Sequence, residues 1–211
     1  MMKKKVMVVD DMPDIVDVVS RMLESSNYEV MKAYSGEECL EKIREEKPDL
    51  ILLDIMMKPM DGWQVLNSLK LDKDLSTIPV SMLTVVLLTP EIIADKPIDD
   101  IENYILKPFS KDGLISDVED IFKEEEEISS IVYLLEEDDN SSLAEEYESL
   151  AKAVNRHRKL MNVLLESTKT EFVEGESVKN VLKSQERMIE LSERRMEEIR
   201  GMLKRTIANT A

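Results

Sequence analysis

The sequence predicts an α/β domain, built on a five-stranded doubly wound parallel sheet, followed by an all-α helical hairpin or coiled-coil domain. Asp49–Asp54 is an apolar run that ends in a carboxylate, a pattern typical of a strand buried on both faces. Around this run, strand and helix patterns alternate five times within residues 1–122, and each parallel crossover needs a helix. After residue 142 the apolar residues follow heptad spacing, which predicts the helical domain.

Each element of the first domain has its own signal. Strands are expected at the apolar runs that turn residues enclose, namely 3–10, 28–34, 49–54, 78–84 and 101–106. Helices are expected at the amphipathic stretches that follow, namely from Pro13, from the Ser35–Glu38 capping box, from Gly62, at 90–94 and from Ser110.

Composition narrows the class of protein. The formal net charge is −17, and acidic residues exceed basic ones both before and after residue 122. This charge disfavours nucleic-acid binding, since phosphate neutralisation by basic residues supplies most non-specific affinity. No apolar run approaches the roughly 20 residues that cross a bilayer, so a cytoplasmic protein without membrane contact is expected. Cys39, the single cysteine, lies on an apolar helix face and is expected to be a core residue.

Four of the predicted strands end in polar residues suited to phosphate or metal chemistry. They are Asp10 with Asp11, Asp54, Thr84 and Lys107. Because parallel strands bring their carboxyl ends to one edge, these side chains are expected to converge. Three carboxylates there would repel one another without a cation, and an all-oxygen set suits Mg²⁺, with Mn²⁺ as the alternative.

The same residue types suit phosphoryl transfer. Asp54 is expected to act as a nucleophile and to form an aspartyl phosphate. Lys107 would supply a point charge to the phosphoryl oxygens, and the Thr84 hydroxyl would donate a hydrogen bond. The chain is thus expected to be a phospho-accepting switch rather than an enzyme.

Over residues 1–122 this set resembles the receiver domain of two-component response regulators, which has a flavodoxin-like fold. The resemblance implies that Asp54 is the phosphoacceptor for a cognate histidine kinase, and that Asp10 and Asp11 are the metal-binding acidic pair. It also implies that the backbone carbonyl of Met56 completes the metal shell.

The resemblance assigns further roles around this site. Lys107 would be followed by a cis proline, Pro108, while Thr84 would be the switch hydroxyl. Tyr104 would be the aromatic residue that moves inward on activation.

Three departures from the family pattern concern the same region. Val85 replaces the small residue usual after Thr84, and the loop proline is shifted to Pro59. Met56 and Val86 occupy positions that tune hydrolysis in this family. Because both are apolar and could shield the acyl phosphate from water, a long-lived phosphoryl state is predicted.

The C-terminal part is predicted to contain a helical linker at 123–141 and an antiparallel hairpin at 142–211. Two apolar series step alternately by four and three residues, and Gly175 lies in the turn between them. A two-helix hairpin buries little surface alone, so a homodimer through these helices is expected. Polar seam residues, His157 and Gln185 among them, could set the register, or the seam could pack on the receiver instead.

The output therefore remains open between three hypotheses. The leading one is a switch that passes phosphorylation of Asp54 to an unknown downstream protein through a change in the helices. An alternative is a phosphorelay in which His157 also carries phosphate, although heptad spacing places it in the seam. A DNA-binding transcription regulator is a less favoured third.

Overall fold

The structure is a computed structural model that describes residues 3–85, 96–137, 140–168 and 176–210. It divides into two compact units, residues 1–118 and residues 119–211. The division falls four residues before the predicted boundary at 122.

The first unit is built on a parallel sheet of five strands. They are β1 (Lys5–Val9), β2 (Glu29–Ala33), β3 (Leu50–Leu53), β4 (Val80–Thr84) and β5 (Asn103–Leu106). Their order in the sheet is β2-β1-β3-β4-β5, and every neighbouring pair is parallel. All four residues of β3 are fully buried, as an apolar run in the centre of a covered sheet requires. The predicted fold class is confirmed.

Three helices connect the first four strands and another follows β5, and side chains cap helix ends that the sequence marks. They are α1 (Pro13–Glu24), α2 (Gly36–Glu45), α3 (Gly62–Leu71) and α4 (Lys111–Glu137). The Ser35 hydroxyl accepts a hydrogen bond from the Glu38 amide at 3.1 Å, and the Ser110 hydroxyl accepts one from the Gly113 amide at 3.0 Å. The helix predicted at 90–94 lies outside the described residues.

Cys39 is a core residue, as predicted. Its side chain is fully buried on α2, and burial raises the pKa of the thiol to about 12. A thiol with so high a pKa stays protonated and unreactive.

The second unit consists of helices. Residues 119–137 of α4 join α5 (Ser141–Thr168) and α6 (Glu176–Thr210) around an apolar core. Its buried members are Ile128, Leu135, Ala144, Tyr147, Ala151, Val154, Met196, Ile199 and Leu203. The residues predicted as a linker are thus helical up to Glu137, and two of them, Ile128 and Leu135, belong to this core.

Ion pairs between helices add to the second unit. The guanidinium of Arg195 on α6 donates two hydrogen bonds to the carboxylate of Glu146 on α5, at 2.7 and 2.9 Å. Lys159 on α5 donates to Glu124 on α4 at 2.5 Å. Within the described residues, none of the helices is long and apolar enough to cross a membrane.

Candidate functional site

The predicted site residues lie at the carboxyl ends of four neighbouring strands. Asp10 follows β1, Asp54 follows β3, Thr84 ends β4 and Lys107 follows β5. These four strands are adjacent in the sheet order, so their ends lie side by side. Asp10, Asp54 and Thr84 are buried, with 1%, 5% and 0% of their surface exposed. Polar side chains this deeply buried need partners.

The side chain of Lys107 joins the two buried carboxylates. Its ammonium nitrogen lies 2.6 Å from Oδ2 of Asp10 and 2.7 Å from Oδ1 of Asp54. One cation therefore compensates two buried negative charges. The sequence analysis expected Mg²⁺ among the carboxylates and Lys107 at the phosphoryl oxygens, whereas here the Lys107 ammonium bonds Asp10 and Asp54 directly.

Backbone amides hold the remaining oxygen of each carboxylate. The Met12 amide donates to Oδ1 of Asp10 at 2.9 Å, and the Met56 amide donates to Oδ2 of Asp54 at 2.7 Å. The backbone of Asp54 is tied to the sheet in turn, since its amide donates to the Val9 carbonyl at 2.9 Å. Both carboxylates are thus oriented by the loops that follow their strands.

The electrostatics of Asp54 combine opposing effects. Burial is the largest and raises the pKa of its carboxyl group, while the hydrogen bond and charge of Lys107 lower it. The charge of Asp10 acts in the same direction as burial, and the net pKa lies above the ordinary value. Burial of Asp54 therefore carries a desolvation cost for its charged form, and Lys107 offsets part of that cost.

Tyr104 and Thr84 lie in the interior near this edge. Tyr104 is 4% exposed, and burial followed by the negative charge of Asp54 raises the pKa of its phenol. Thr84 is fully buried, and its carbonyl accepts a hydrogen bond from the Lys107 amide at 2.8 Å. The peptide bond between Lys107 and Pro108 is cis.

The donor set matches the oxygen ligands that Mg²⁺ prefers. Asp10 and Asp54 converge on a single ammonium group, whereas Asp11 is exposed beside them. Among the described residues, no group of three or more His, Cys, Asp or Glu side chains is arranged to hold a metal ion. The carboxylates of Asp10 and Asp54 have the chemistry that suits the ion, although Lys107 now bonds both of them.

Other residues at this edge escaped the sequence reasoning. The Met12 amide orients Asp10, and Gly62 closely approaches the backbone of Asp54. Three apolar side chains near the site are open to solvent, with Met12 57%, Met56 61% and Val85 59% exposed. Gly62 could have been noticed in the sequence, because a glycine at the start of a helix is unusual enough to ask for a reason. Hydrogen bonds from backbone amides could not, because they depend on no particular residue type. Val86, predicted to affect hydrolysis, lies outside the described residues.

His157 lies on α5 in the second unit. Its side chain is half-buried, and Nδ1 is shielded from solvent with no hydrogen-bond partner within the described part of the chain. Oε1 of Gln185 on α6 is likewise shielded from solvent and has no hydrogen-bond partner among the described residues.

Comparisons with known proteins agree with this geometry. The sequence profile of the response regulator receiver domain matches residues 6–119. The alkaline phosphatase synthesis transcriptional regulatory protein PhoP of Bacillus subtilis is 36% identical over 132 residues, which are 59% of this chain and 51% of that protein. The chain thus spans about half the length of this curated relative.

Solved structures show the same fold for this part. The chemotaxis response regulator CheY4 of Vibrio cholerae is 28% identical with a TM-score of 0.53, covering 57% of this chain and 99% of that one. The receiver domain of the Francisella response regulator 1452 is 30% identical with a TM-score of 0.51, covering 57% and 98%. The chain belongs to the response regulator receiver domain family.

Proposed function

We propose that the chain is a two-component response regulator that accepts a phosphoryl group on Asp54 from a cognate histidine kinase in the cytoplasm. The observation that carries the proposal is the ammonium of Lys107 between two buried carboxylates at the edge of a parallel sheet. Membership of the receiver family supports it, because receiver domains are phospho-accepting switches.

In the proposed reaction a carboxylate oxygen of Asp54 attacks the phosphorus of a phosphohistidine. A P–O bond forms while the P–N bond to the imidazole of the donor breaks. Lys107, already within hydrogen-bond distance of Asp54, compensates negative charge on the transferred oxygens. The amide of Met56 keeps the carboxylate oriented.

Receiver domains generally bind Mg²⁺ at the phosphorylation site. Here Asp10, Asp11, Asp54 and the backbone carbonyl of Met56 are the proposed ligands. When bound, the ion supplies positive charge where Asp54 and the phosphoryl oxygens meet. That charge also offsets the cost of burying Asp54.

The proposed switch couples the site to neighbouring residues. The Thr84 hydroxyl and the Tyr104 ring rearrange toward the phosphoryl group, which adds negative charge beside them. Both residues are buried at this edge, and the charge of Asp54 already acts on the pKa of Tyr104.

The proposed output is a change in assembly or partner binding through the C-terminal helices. Helix α4, which follows β5, continues to Glu137 and contributes Leu135 to the core of the second unit. A homodimer through these helices is part of the proposal, and Leu165, Met188 and Leu191 are apolar side chains exposed on α5 and α6. The proposed downstream partner is a protein.

Transcription regulation is a second candidate because of the names of the relatives. PhoP and the probable transcriptional regulator ycf27 of Porphyridium aerugineum, 32% identical over 130 residues, are both described as transcriptional regulators. The matched part covers about half of each. The net charge of −17 favours a protein partner over direct contact with DNA. Electrophoretic mobility shifts with genomic DNA fragments, before and after phosphorylation, would distinguish these outputs.

A phosphorelay through His157 is the less favoured alternative. A phosphotransfer imidazole must meet a donor or acceptor site, yet Nδ1 of His157 is shielded from solvent. Acid treatment distinguishes phosphate on Asp54 from phosphate on His157, since phosphohistidine loses its phosphate in acid. After phosphorylation, acid-labile phosphate that disappears in His157→Gln would favour the relay.

The proposal is tested with acetyl phosphate and Mg²⁺, using wild type and Asp54→Asn. Intact mass measures phosphate incorporation, and light scattering coupled to gel filtration measures oligomer size. The wild type is expected to gain one phosphoryl group and to change its assembly, while Asp54→Asn does neither. No uptake would refute the receiver role, and uptake without any change in assembly or binding would refute the proposed output.

A further inference from the structure

Gly62 approaches the backbone of the proposed phosphoacceptor more closely than any side chain allows. A Cβ atom built on Gly62 would lie 2.3 Å from the carbonyl oxygen of Asp54 and 2.9 Å from Cα of Ile55. Both are backbone atoms, so the contact cannot be relieved by turning a side chain. Gly62 does not have a positive φ. The close approach, and not the backbone conformation, is therefore what requires glycine here.

The elements on both sides of this contact are firmly anchored. The Asp54 amide donates to the carbonyl of Val9 in β1 at 2.9 Å. Helix α3 buries Val65, Leu66 and Leu69 completely. Since neither the strand nor the helix moves without loss of core packing, the peptide between Asp54 and Ile55, which follows the anchored Asp54 amide, is the part that must yield.

The segment from Asp54 to Met56 aims the carboxylate of Asp54. The Met56 amide donates to Oδ2 of Asp54 at 2.7 Å, and Oδ1 meets Lys107 at 2.7 Å. The Gly62 amide also fixes the segment, by donating to the Ile55 carbonyl at 3.0 Å. We propose that Gly62 is a positioning residue for phosphorylation, because its missing side chain lets the backbone of residues 54–56 hold Asp54 against Lys107.

This inference rests on the proposed function of Asp54. It adds a residue of α3 that acts through the backbone and touches neither the metal nor the phosphoryl group. A methyl group at position 62 displaces the Asp54 peptide and re-aims its carboxylate. A misplacement of about 1 Å at a reacting group costs on the order of 100-fold in rate.

Gly36 provides a matched control within the same unit. It begins α2 as Gly62 begins α3, and both residues are buried behind a side-chain N-cap. A Cβ atom on Gly36 would meet Cγ2 of Val65 at 2.7 Å and Cγ of Met60 at 2.9 Å, which are side-chain atoms. Alanine there strains packing but leaves the backbone of Asp54 in place.

The experiment compares wild type, Gly62→Ala and Gly36→Ala as full chains. Circular dichroism and urea unfolding give the folded fraction, and intact mass gives the rate of phosphate uptake per folded chain from acetyl phosphate with Mg²⁺. Gly62→Ala is expected to stay folded and to take up phosphate at least about 10-fold more slowly than the wild type. Gly36→Ala is expected to be less stable but to react within about twofold of the wild-type rate.

The pattern of results separates this inference from the proposed function. Uptake by the wild type with equal rates in the two alanine variants would overturn the role of Gly62 and leave phosphorylation of Asp54 standing. A Gly62→Ala chain that cannot fold would also overturn it, because glycine would then be required for folding and not for orienting the carboxylate of Asp54. No uptake by any of the three chains would overturn both proposals.

Discussion

Replacing Lys107 by methionine tests the electrostatics of the site in the absence of any ligand. Methionine keeps much of the side-chain length and removes the ammonium that lies 2.6 Å from Asp10 and 2.7 Å from Asp54. The side chains of these aspartates are 2% and 7% exposed. Losing one partner of a buried ion pair typically costs about 3–5 kcal/mol because the remaining charge is uncompensated. The free energy of unfolding of the first unit should fall by about that amount near pH 7.

Urea unfolding followed by fluorescence measures this loss. Trp63 on α3 is the single tryptophan of the chain, so its emission reports on the first unit. Lys32→Met is the matched control, since Lys32 pairs with Asp17 at 2.8 Å with both side chains well exposed. The control should change the unfolding midpoint only slightly, because exposed ion pairs contribute little.

The loss of stability in Lys107→Met should depend on pH. Lys107 lowers the pKa of the Asp54 carboxyl group, so without it the folded-state pKa of Asp54 rises further above the ordinary value. The penalty therefore grows as pH increases through that pKa and disappears where the carboxyl group is protonated. The deficit of Lys107→Met should therefore shrink between about pH 7 and about pH 4. Mg²⁺ should stabilise the variant by binding the freed carboxylates. A deficit that is absent near pH 7, or unchanged at the lower pH, would refute the reasoning.

Four further changes test other parts of the account. Asp54→Asn should raise the free energy of unfolding near pH 7, because burial raises the pKa of Asp54 and the charged form is therefore disfavoured in the fold. Urea unfolding should show this gain vanishing below the ordinary pKa of aspartate. Leu135→Ala should cost the helical unit about 2–5 kcal/mol by circular dichroism, whereas the exposed neighbour Leu134→Ala should cost under about 1 kcal/mol. Met56→Gln should shorten a long phosphoryl lifetime, measured after the donor is removed, because an amide can orient the attacking water; rapid loss in the wild type would contradict this. His157→Gln should leave phosphorylation of Asp54 unchanged by intact mass, and a slower rate would favour the relay.

The fold of the first unit could be predicted because local and global signals agree. The uninterrupted apolar run at β3 and the caps at Ser35 and Ser110 each mark one element, and the structure has them there. The sequence predicted that the helix after Ser110 continues to about Leu135, and α4 ends close to that point, at Glu137. The sequence did not show that Ile128 and Leu135 join a core with α5 and α6, since that is a tertiary effect.

The candidate site was predicted through its strand ends and not through its contacts. Asp10, Asp54 and Lys107 follow apolar strands, so topology alone brings them together. The sequence did not show that Lys107 bonds both carboxylates, since the reach of a lysine side chain depends on its rotamer. Nor did it show the role of Gly62, because a backbone approach of 2.3 Å depends on where α3 packs.

The central claim is that Asp54 accepts the phosphoryl group. The most direct measurement is peptide mapping of the chain after incubation with acetyl phosphate and Mg²⁺, with borohydride reduction to trap the acyl phosphate at its residue. The account predicts a single reduced aspartate at position 54 in the wild type and none in Asp54→Asn. Phosphate on another residue, or unchanged uptake by Asp54→Asn, would contradict it.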